Sequence, residues 1–289
     1  MKPRPKPFNI TLLHPPGFIH ALALKEAADY VHATIRACGY QSIRTVNHVA
    51  GDAHNVIFCA HLLKRELIEK IPPDTIVFNS ESLEDSGERQ FYSDAYGELL
   101  GRFYVWDYSY RNLPLIPHDK KAVIPFLHCE ELKRSDIPRR HGSSLLFYGR
   151  MTERRRDVLN GLQRRGVPVK AIFGEYDFQR DLHMLGAWAI LNLHKSDDTR
   201  AFEPIRCFYP LINGIPVISE GVIDASADAF KDAVFFLERG ALIEGISALC
   251  ANRQDFDERS RAMLAKFTKK DPLPAMAAAI EKFLGRCEG

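Results

Sequence analysis

Short, dense apolar runs alternate along this chain with longer stretches in which apolar residues recur every three or four positions. The first run, residues 8–13, ends in His14-Pro15-Pro16-Gly17, a turn-forming string. Over residues 20–38 the apolar positions Leu24, Ala28, Val31 and Ile35 fall on one helix face. Further β-prone runs at 42–46, 55–59, 75–78, 103–106 and 122–125 predict a parallel-sheet domain filling residues 1–127. Residues 128–143 are charged, carry Pro138 and Gly142, and lack an apolar period, which reads as a linker. The alternation then restarts, with predicted strands at 144–148, 169–173, 188–193, 215–219 and 234–237. Between them lie predicted helices at 153–165, 177–186 and 202–212, the last capped by Asn213-Gly214. Three more helices, 241–250, 256–267 and 273–284, close the chain. The expected fold is α/β: two Rossmann-like domains, 1–127 and 143–270, facing a cleft at the carboxyl ends of their strands.

Composition narrows the class. The 289 residues are 46% hydrophobic and 26% charged, which excludes disordered and fibrous chains. No run approaches the roughly 18 apolar residues of a membrane span, and the first ten residues lack the apolar core of a secretory signal. A cytoplasmic protein is expected. Lys plus Arg (39) against Asp plus Glu (37) gives +2, milder than a dedicated nucleic-acid module. The six cysteines form no CxxC pair or His-spaced cluster, so reduced thiols and no structural metal are expected.

Function in such a fold sits in the turns after the strands. In the first turn, Gly17 would let the backbone approach a ligand and His14 could serve as an acid or base; a proline-stiffened surface turn is the alternative. No GxGxxG, Walker lysine motif or GxSxG is present. Gly149-Arg150 lies between a strand and a helix start, where backbone N–H groups and a guanidinium suit a diphosphate. The segment 139–170 carries nine Lys or Arg against Glu153 and Asp157, and Arg154 to Arg156 read as a solvated helix face. His194 ends another strand. Glu203 and Arg206, one helical turn apart, can face one ligand or merely pair with each other. Glu220 follows a strand directly and could also be an ordinary helix-leading acid. Gly174 and Tyr176 could meet a base or form a simple turn. Glu81 and Asp107 end strands of the first half, where a carboxylate could deprotonate or orient an acceptor hydroxyl; for Asp107 a helix cap is the alternative. Trp106 and Trp188 fall within predicted strands and are expected in the core.

The strings LLFYGRMTERRRDVLNGLQRRGVPVKAIFG and FEPIRCFYPLINGIPVISE resemble the donor-binding domain of the group 1 (GT4-like) glycosyltransferases of GT-B fold, in a bacterial branch. The likeness is strong over residues 143–222 and weaker in TIVFNSESL and RFYVWDYSYRN of the first half. It implies metal-independent hexosyl or pentosyl transfer from a nucleotide-sugar donor, expected to be a UDP-sugar, to an acceptor hydroxyl, with no further cofactor. The second domain would hold the donor and the first the acceptor, with the C-terminal helix 272–286 packing back on the first. By resemblance Arg150 would neutralise the diphosphate, Glu203 and Arg206 would face sugar, phosphate and ribose, and Glu220 would lie near the nucleotide. Many retaining members carry two glutamates separated by seven residues. Here Leu211 stands eight positions after Glu203, so retention or inversion stays open.

The expected catalytic residues are Glu203, Asp107 and His14. Donor contacts are expected from Gly17, Gly149, Arg150, Gly174, Tyr176, His194, Arg206 and Glu220, with no metal ligand. A saccharide is the first acceptor class; a modified DNA base and a protein are alternatives. A nucleotide-sugar epimerase or hydrolase, or a non-catalytic nucleotide-sugar-binding subunit, are the rival functions.

Overall fold

The computed structural model describes residues 6–83, 94–140, 142–199, 201–222 and 224–287. The proline-rich start as far as Pro5 lies outside them. The chain divides into two compact units, Met1–Glu131 with Pro272–Gly289, and Leu132–Asp271.

In the first unit, strands β1 (Phe8–Leu12), β2 (Ser42–Val46), β3 (His54–Phe58), β4 (Ile76–Asn79), β5 (Tyr104–Asp107) and β6 (Lys121–Val123) form one sheet in the order β2-β1-β3-β4-β5-β6. Every pairing is parallel. Residues of β1, β3, β4 and β5 are buried throughout, as expected where crossovers cover both faces of a sheet. The strand order reverses between β1 and β3, so their carboxyl ends open at a topological switch point.

The helix predicted over 20–38 is split. A 3-10 stretch, Ile19–Leu24, leads into α1 (Lys25–Ala37), since Phe18 and Ala21 turn back onto Pro15 and Phe18 carbonyls and no side chain caps the start. The short α2 (Arg65–Ile68) and α3 (Asp94–Arg102) cover the crossovers. Trp106 is fully buried.

The second unit carries β7 (Leu145–Tyr148), β8 (Val169–Ile172), β9 (Ala189–Asn192), β10 (Val217–Glu220) and β11 (Val234–Leu237) in the parallel order β11-β10-β9-β7-β8. Its switch point lies between β7 and β9. Helices α4 (Glu153–Arg164), α5 (Asp177–Leu185), α6 (Pro204–Ile212), α7 (Leu242–Ala251) and α8 (Arg253–Phe267) complete the unit. Phe147, Leu162, Trp188, Leu191, Ile218, Phe235, Ile246 and Phe256 share one core cluster. Trp188 packs on Phe256 at 4.4 Å and donates its indole N–H to Asp257 at 2.9 Å. Helix α6 begins two residues later than the apolar pattern suggests, because Glu203 takes the cap position and Pro204 the first turn. Strand β10 also begins late: the Ile215 N–H returns to Pro210 O, and Pro216 has none to give.

The segment expected as a linker is held against the second unit. Arg134 pairs with the buried Asp181 at 2.6 Å, its backbone N–H meets Asn213 Oδ1 at 2.7 Å, and Arg140 N–H meets Leu185 O at 2.9 Å. Its charges are satisfied inward, which an apolar-period reading cannot register.

The last helix, α9 (Leu273–Cys287), belongs to the first unit and contacts α1. Met276, Ala279, Ile280 and Phe283 form its buried stripe, and the Phe283 ring sits 5.2 Å from His54 and 5.3 Å from Tyr104. Ile280→Val, which removes one methylene from this packing, is expected to cost about 1 kcal/mol in chemical denaturation. Among the described residues no helix is long and apolar enough to cross a membrane.

Candidate functional site

Strand β7 ends at Tyr148, and the chain turns at Gly149 with φ +140°, a conformation that L side chains rarely adopt. A Cβ at Gly149 would stand 3.9 Å from both Arg155 Nη1 and Arg206 Nη2. The glycine thus leaves bare backbone between two guanidinium groups. Thr152 caps α4: its hydroxyl accepts the Arg155 N–H at 3.3 Å and donates to Lys195 O at 3.1 Å. That contact ties the helix start to the loop after β9.

Arg155 shares a helix face with Leu159 and Leu162 and is carried inward with them, to 2% exposure. Its guanidinium donates to Arg150 O at 2.8 Å and Leu193 O at 2.7 Å, with Nε reaching His194 O at 3.2 Å, and lies over the Phe147 ring at 5.3 Å. Burial, reinforced by Arg206, lowers its pKa to about 10, so it remains a cation at neutral pH. Its partners are carbonyl oxygens, with no carboxylate in contact among the described residues.

Arg206, one turn into α6, pairs with Glu203 at 2.7 Å and donates to Asn192 Oδ1 at 3.0 Å. The local ion pair therefore exists, and its arginine also borders Gly149. Burial favours the neutral acid at Glu203, but Arg206 and Arg155 outweigh it and hold the carboxyl below its ordinary range.

Glu220, placed near a nucleotide by expectation, is fully buried. Arg154 grips it with a two-pronged fork at 2.8 and 2.6 Å, and the His194 N–H reaches it at 2.9 Å. Arg239 adds an ion pair at 3.5 Å. With both oxygens engaged, Glu220 braces the β9 and β10 loops. His194 is 1% exposed; Nδ1 lies 3.3 Å from Thr199 O, and Nε2 has no partner among the described residues. Burial lowers its pKa, leaving a neutral imidazole at neutral pH.

Arg150 lends its carbonyl to Arg155, while its own side chain is exposed and makes no ion pair among the described residues. Gly174 (φ +78°) and Tyr176, at the start of α5, follow β8; Gly149 N–H donates to Ile172 O at 3.3 Å, so this turn neighbours Gly149. Arg154, Arg155 and Arg239 are not among the ligand contacts expected from sequence. For Arg155 the signal is present: it is an arginine on the apolar stripe of an amphipathic helix.

Gly17, His14, Glu81 and Asp107 lie in the first unit. Gly17 has φ +80°, and His14 exchanges two hydrogen bonds of 2.7 Å with the Asn47 side chain through its backbone. Asp107 departs from the expected role. It is fully buried, accepting from Asn79 Nδ2 at 2.7 Å, Ser109 N–H at 2.8 Å and Asn112 Nδ2 at 3.0 Å. Tyr96 donates to Asn79 Oδ1 at 2.5 Å, and Asn112 also donates to Glu81 O at 2.9 Å. Both Asp107 oxygens are engaged, so its geometry supports positioning of the Glu81 loop rather than contact with an acceptor.

Burial raises the Asp107 pKa from 3.8 to about 7 against these donors. The folded state then keeps a proton that the unfolded chain releases, so this group's stability contribution is complete below the unfolded pKa and is lost as pH rises through about 7. Asp107→Asn is expected to remove that part of the pH dependence. The fall in Tm between about pH 4.5 and pH 8 should be smaller in the variant, and superimposable profiles would contradict the assignment.

Among the described residues no group of three or more His, Cys, Asp or Glu could hold a metal ion. Burial pushes the Cys59 thiol up to about 12 and the Cys207 thiol higher still, so neither is a thiolate at neutral pH.

No family model matches the sequence. The uncharacterized protein L140 of Acanthamoeba polyphaga mimivirus is 29% identical over 205 residues, 68% of this chain and 64% of L140. A second mimivirus protein, L137, is 26% identical over 61% of this chain and 24% of its own length. The chain thus spans less than two thirds of these relatives. Among solved structures, an alpha-glucosyltransferase in complex with UDP and a 13-mer DNA superposes with TM-score 0.62 at 10% identity, covering 96% of this chain and 99% of that one. T4 phage BGT in complex with UDP and Mn2+ gives 0.55 at 11% identity over 96% and 99%. AviGT4, a glycosyltransferase involved in avilamycin A biosynthesis, gives 0.54 at 12% identity over 97% of both chains. At these identities the likeness establishes the fold, an α/β chain of two Rossmann-like domains as in GT-B glycosyltransferases.

Proposed function

We propose that this protein is a glycosyltransferase that binds a UDP-sugar on its second unit and transfers the sugar to a hydroxyl. The observation carrying this reading is the bare Gly149 backbone at the β7/β9 switch point, where an added Cβ would stand 3.9 Å from both Arg155 Nη1 and Arg206 Nη2. A guanidinium has five N–H groups. The hydrogen bonds of Arg155 leave one N–H on each terminal nitrogen, and Arg206 Nη2 keeps one beside its bond to Glu203. These donors belong to a buried cation that hydrogen-bonds only carbonyls and to its arginine neighbour, and a diphosphate is the complementary ligand.

When the bond from the anomeric carbon to the diphosphate oxygen breaks, its electron pair stays with the diphosphate. Arg155 and Arg206 then face the growing negative charge from fixed positions, which favours the transition state over the ground state. The ionised Glu203 is an acceptor for sugar or ribose hydroxyls, and neutral His194 can offer its Nε2. Exposed Arg150 adds a cation that a bound donor would order. The arginines supply the charge that a divalent ion could otherwise bring, so donor binding is proposed to persist in a chelator. The finer likeness to group 1 enzymes, cytoplasmic residence and an acceptor site on the first unit belong to the same proposal.

For the acceptor, a saccharide hydroxyl is the first class. A hydroxyl-bearing modified base in DNA is the second, and the likeness to the alpha-glucosyltransferase whose complex contains UDP and DNA supports DNA as that class. The two separate by salt: DNA affinity should fall steeply between about 50 and 200 mM salt, and saccharide affinity should not.

The test is a thermal-shift panel of UDP-, GDP-, dTDP- and CMP-sugars, each with EDTA, Mg2+ or Mn2+. A UDP-sugar at about 100 times its Kd should add about 2.7 kcal/mol of stability, in EDTA as with metal. Stabilisation by none of the nucleotides would remove the reading, and stabilisation only with metal would remove its metal-independent part.

A further inference from the structure

Strand β8 forms one edge of the second sheet, and an edge strand presents backbone N–H and C=O groups with no neighbouring strand to meet them. Leu145 N–H donates to Pro168 O at 2.9 Å and Gly149 N–H to Ile172 O at 3.3 Å, so the even-numbered residues of β8 serve the parallel ladder to β7. The N–H and C=O groups of Val169 and Ala171 therefore point away from the sheet. Where the first sheet ends at β6, Lys282 Nζ covers the Lys121 carbonyl at 2.8 Å; no described side chain does the same for Val169 or Ala171.

Side chains alternate along the strand. Val169, Ala171 and Phe173 share one face; Ala171 is exposed, and the Phe173 ring, directly after β8, is 55% exposed. Lys170 and Ile172 share the other face, beside α5. There Lys170 Nζ donates to His183 Nδ1 at 2.8 Å, which leaves the imidazole proton on Nε2 to meet Glu175 Oε2 at 2.8 Å. This row has a cation at one end and a carboxylate at the other. A twofold axis reverses it, setting the cation of one copy toward the carboxylate of the next.

We infer that β8 pairs antiparallel with β8 of a second copy of this chain, about a twofold axis at Ala171. Ala171 then exchanges N–H···O bonds with its counterpart in the second copy. The Phe173 ring packs over Val169 of the second copy, and Lys170 stands opposite Ile172. An axis at Lys170 would instead set two lysines opposite each other, which disfavours that register. The paired stretch ends at Gly174, where φ +78° turns the chain out of the strand. The interface involves the second unit alone and does not depend on the nucleotide site.

The test is sedimentation velocity of the full chain over a concentration series, in which wild type should reach twice the 32.8 kDa chain mass. Ala171→Pro removes an N–H that the ladder to β7 does not use, and should raise the dimer dissociation constant at least about 10-fold with the far-UV circular dichroism unchanged. Phe173→Glu replaces the ring over Val169 with a carboxylate and should do the same. Ala171→Cys sets two Cα atoms about 5.5 Å apart in a hydrogen-bonded pair, within disulfide reach, so mild oxidation should give a covalent dimer on a non-reducing gel above the wild-type background. Val169→Cys, off the axis, should not cross-link. A monomeric wild type, or a dimer indifferent to both Ala171→Pro and Phe173→Glu, would overturn the pairing, as would cross-linking of Val169→Cys in place of Ala171→Cys.

Discussion

Arg155→Ala is expected to lose nucleotide binding and fold stability together. The side chain pins the Gly149-Arg150 turn to the loop after β9 through Arg150 O, Leu193 O and His194 O, at a site with 2% exposure. Alanine takes this donor from Arg150 O, leaves Leu193 O and His194 O only their 3.3 Å bonds from Arg206 and Arg154, and opens a void beside Phe147. Unsatisfied buried acceptors cost about 1–3 kcal/mol each, so a total loss of about 2–4 kcal/mol is expected. Scanning calorimetry should show this as a fall in Tm of about 5–15 °C. Binding should weaken more than 100-fold, since one guanidinium is gone and the turn presenting the other contact is released. Arg155→Lys keeps the charge but cannot fork between the two loops, and should recover less than half of either loss. A stable Arg155→Ala protein with intact UDP affinity would mean that the arginine is neither pin nor ligand.

Gly149→Val should separate strain from occlusion. Any L residue at φ +140° carries about 1–3 kcal/mol of backbone strain. The added side chain also stands between Arg155 and Arg206, its Cβ 3.9 Å from each guanidinium and its methyl groups extending beyond it. Gly166, just beyond α4, has φ +76°, and a Cβ added there would meet no atom within 4 Å, so Gly166→Val is the matched control. Both variants should lose similar stability in urea denaturation. Only Gly149→Val should lose UDP binding, by at least about 100-fold, which is about 2.7 kcal/mol. Equal affinity in the two variants would place the ligand elsewhere.

The layout of the fold is legible in the sequence because a parallel sheet buried on both faces writes itself as short apolar runs between amphipathic helices. Phe8 and Trp106, Phe147 and Trp188 can be assigned to the core on that pattern alone. The roles of charged residues are less legible, because burial of a charge depends on partners distant in sequence. Glu220 reads as a free acid after a strand, yet Arg154 and Arg239 claim it from 66 and 19 positions away. Asp107 reads as an acceptor carboxylate, yet Asn79 closes over it from another strand. Glu203 and Arg206 are legible since one helical turn alone brings them together.

If the Arg155–Arg206 turn of the second unit binds a diphosphate, nucleotide affinity must depend on the phosphates and on these two guanidinium groups. Calorimetric titration of UDP and of uridine, in EDTA, into wild type and Arg206→Ala measures that dependence directly. UDP should bind wild type, uridine at least about 100-fold more weakly, and Arg206→Ala should lower UDP affinity about 10- to 100-fold while leaving uridine unaffected, as expected for charge-assisted contacts worth about 1.5–3 kcal/mol. Equal affinity for UDP and uridine, or UDP affinity indifferent to Arg206→Ala, would contradict diphosphate binding at this turn.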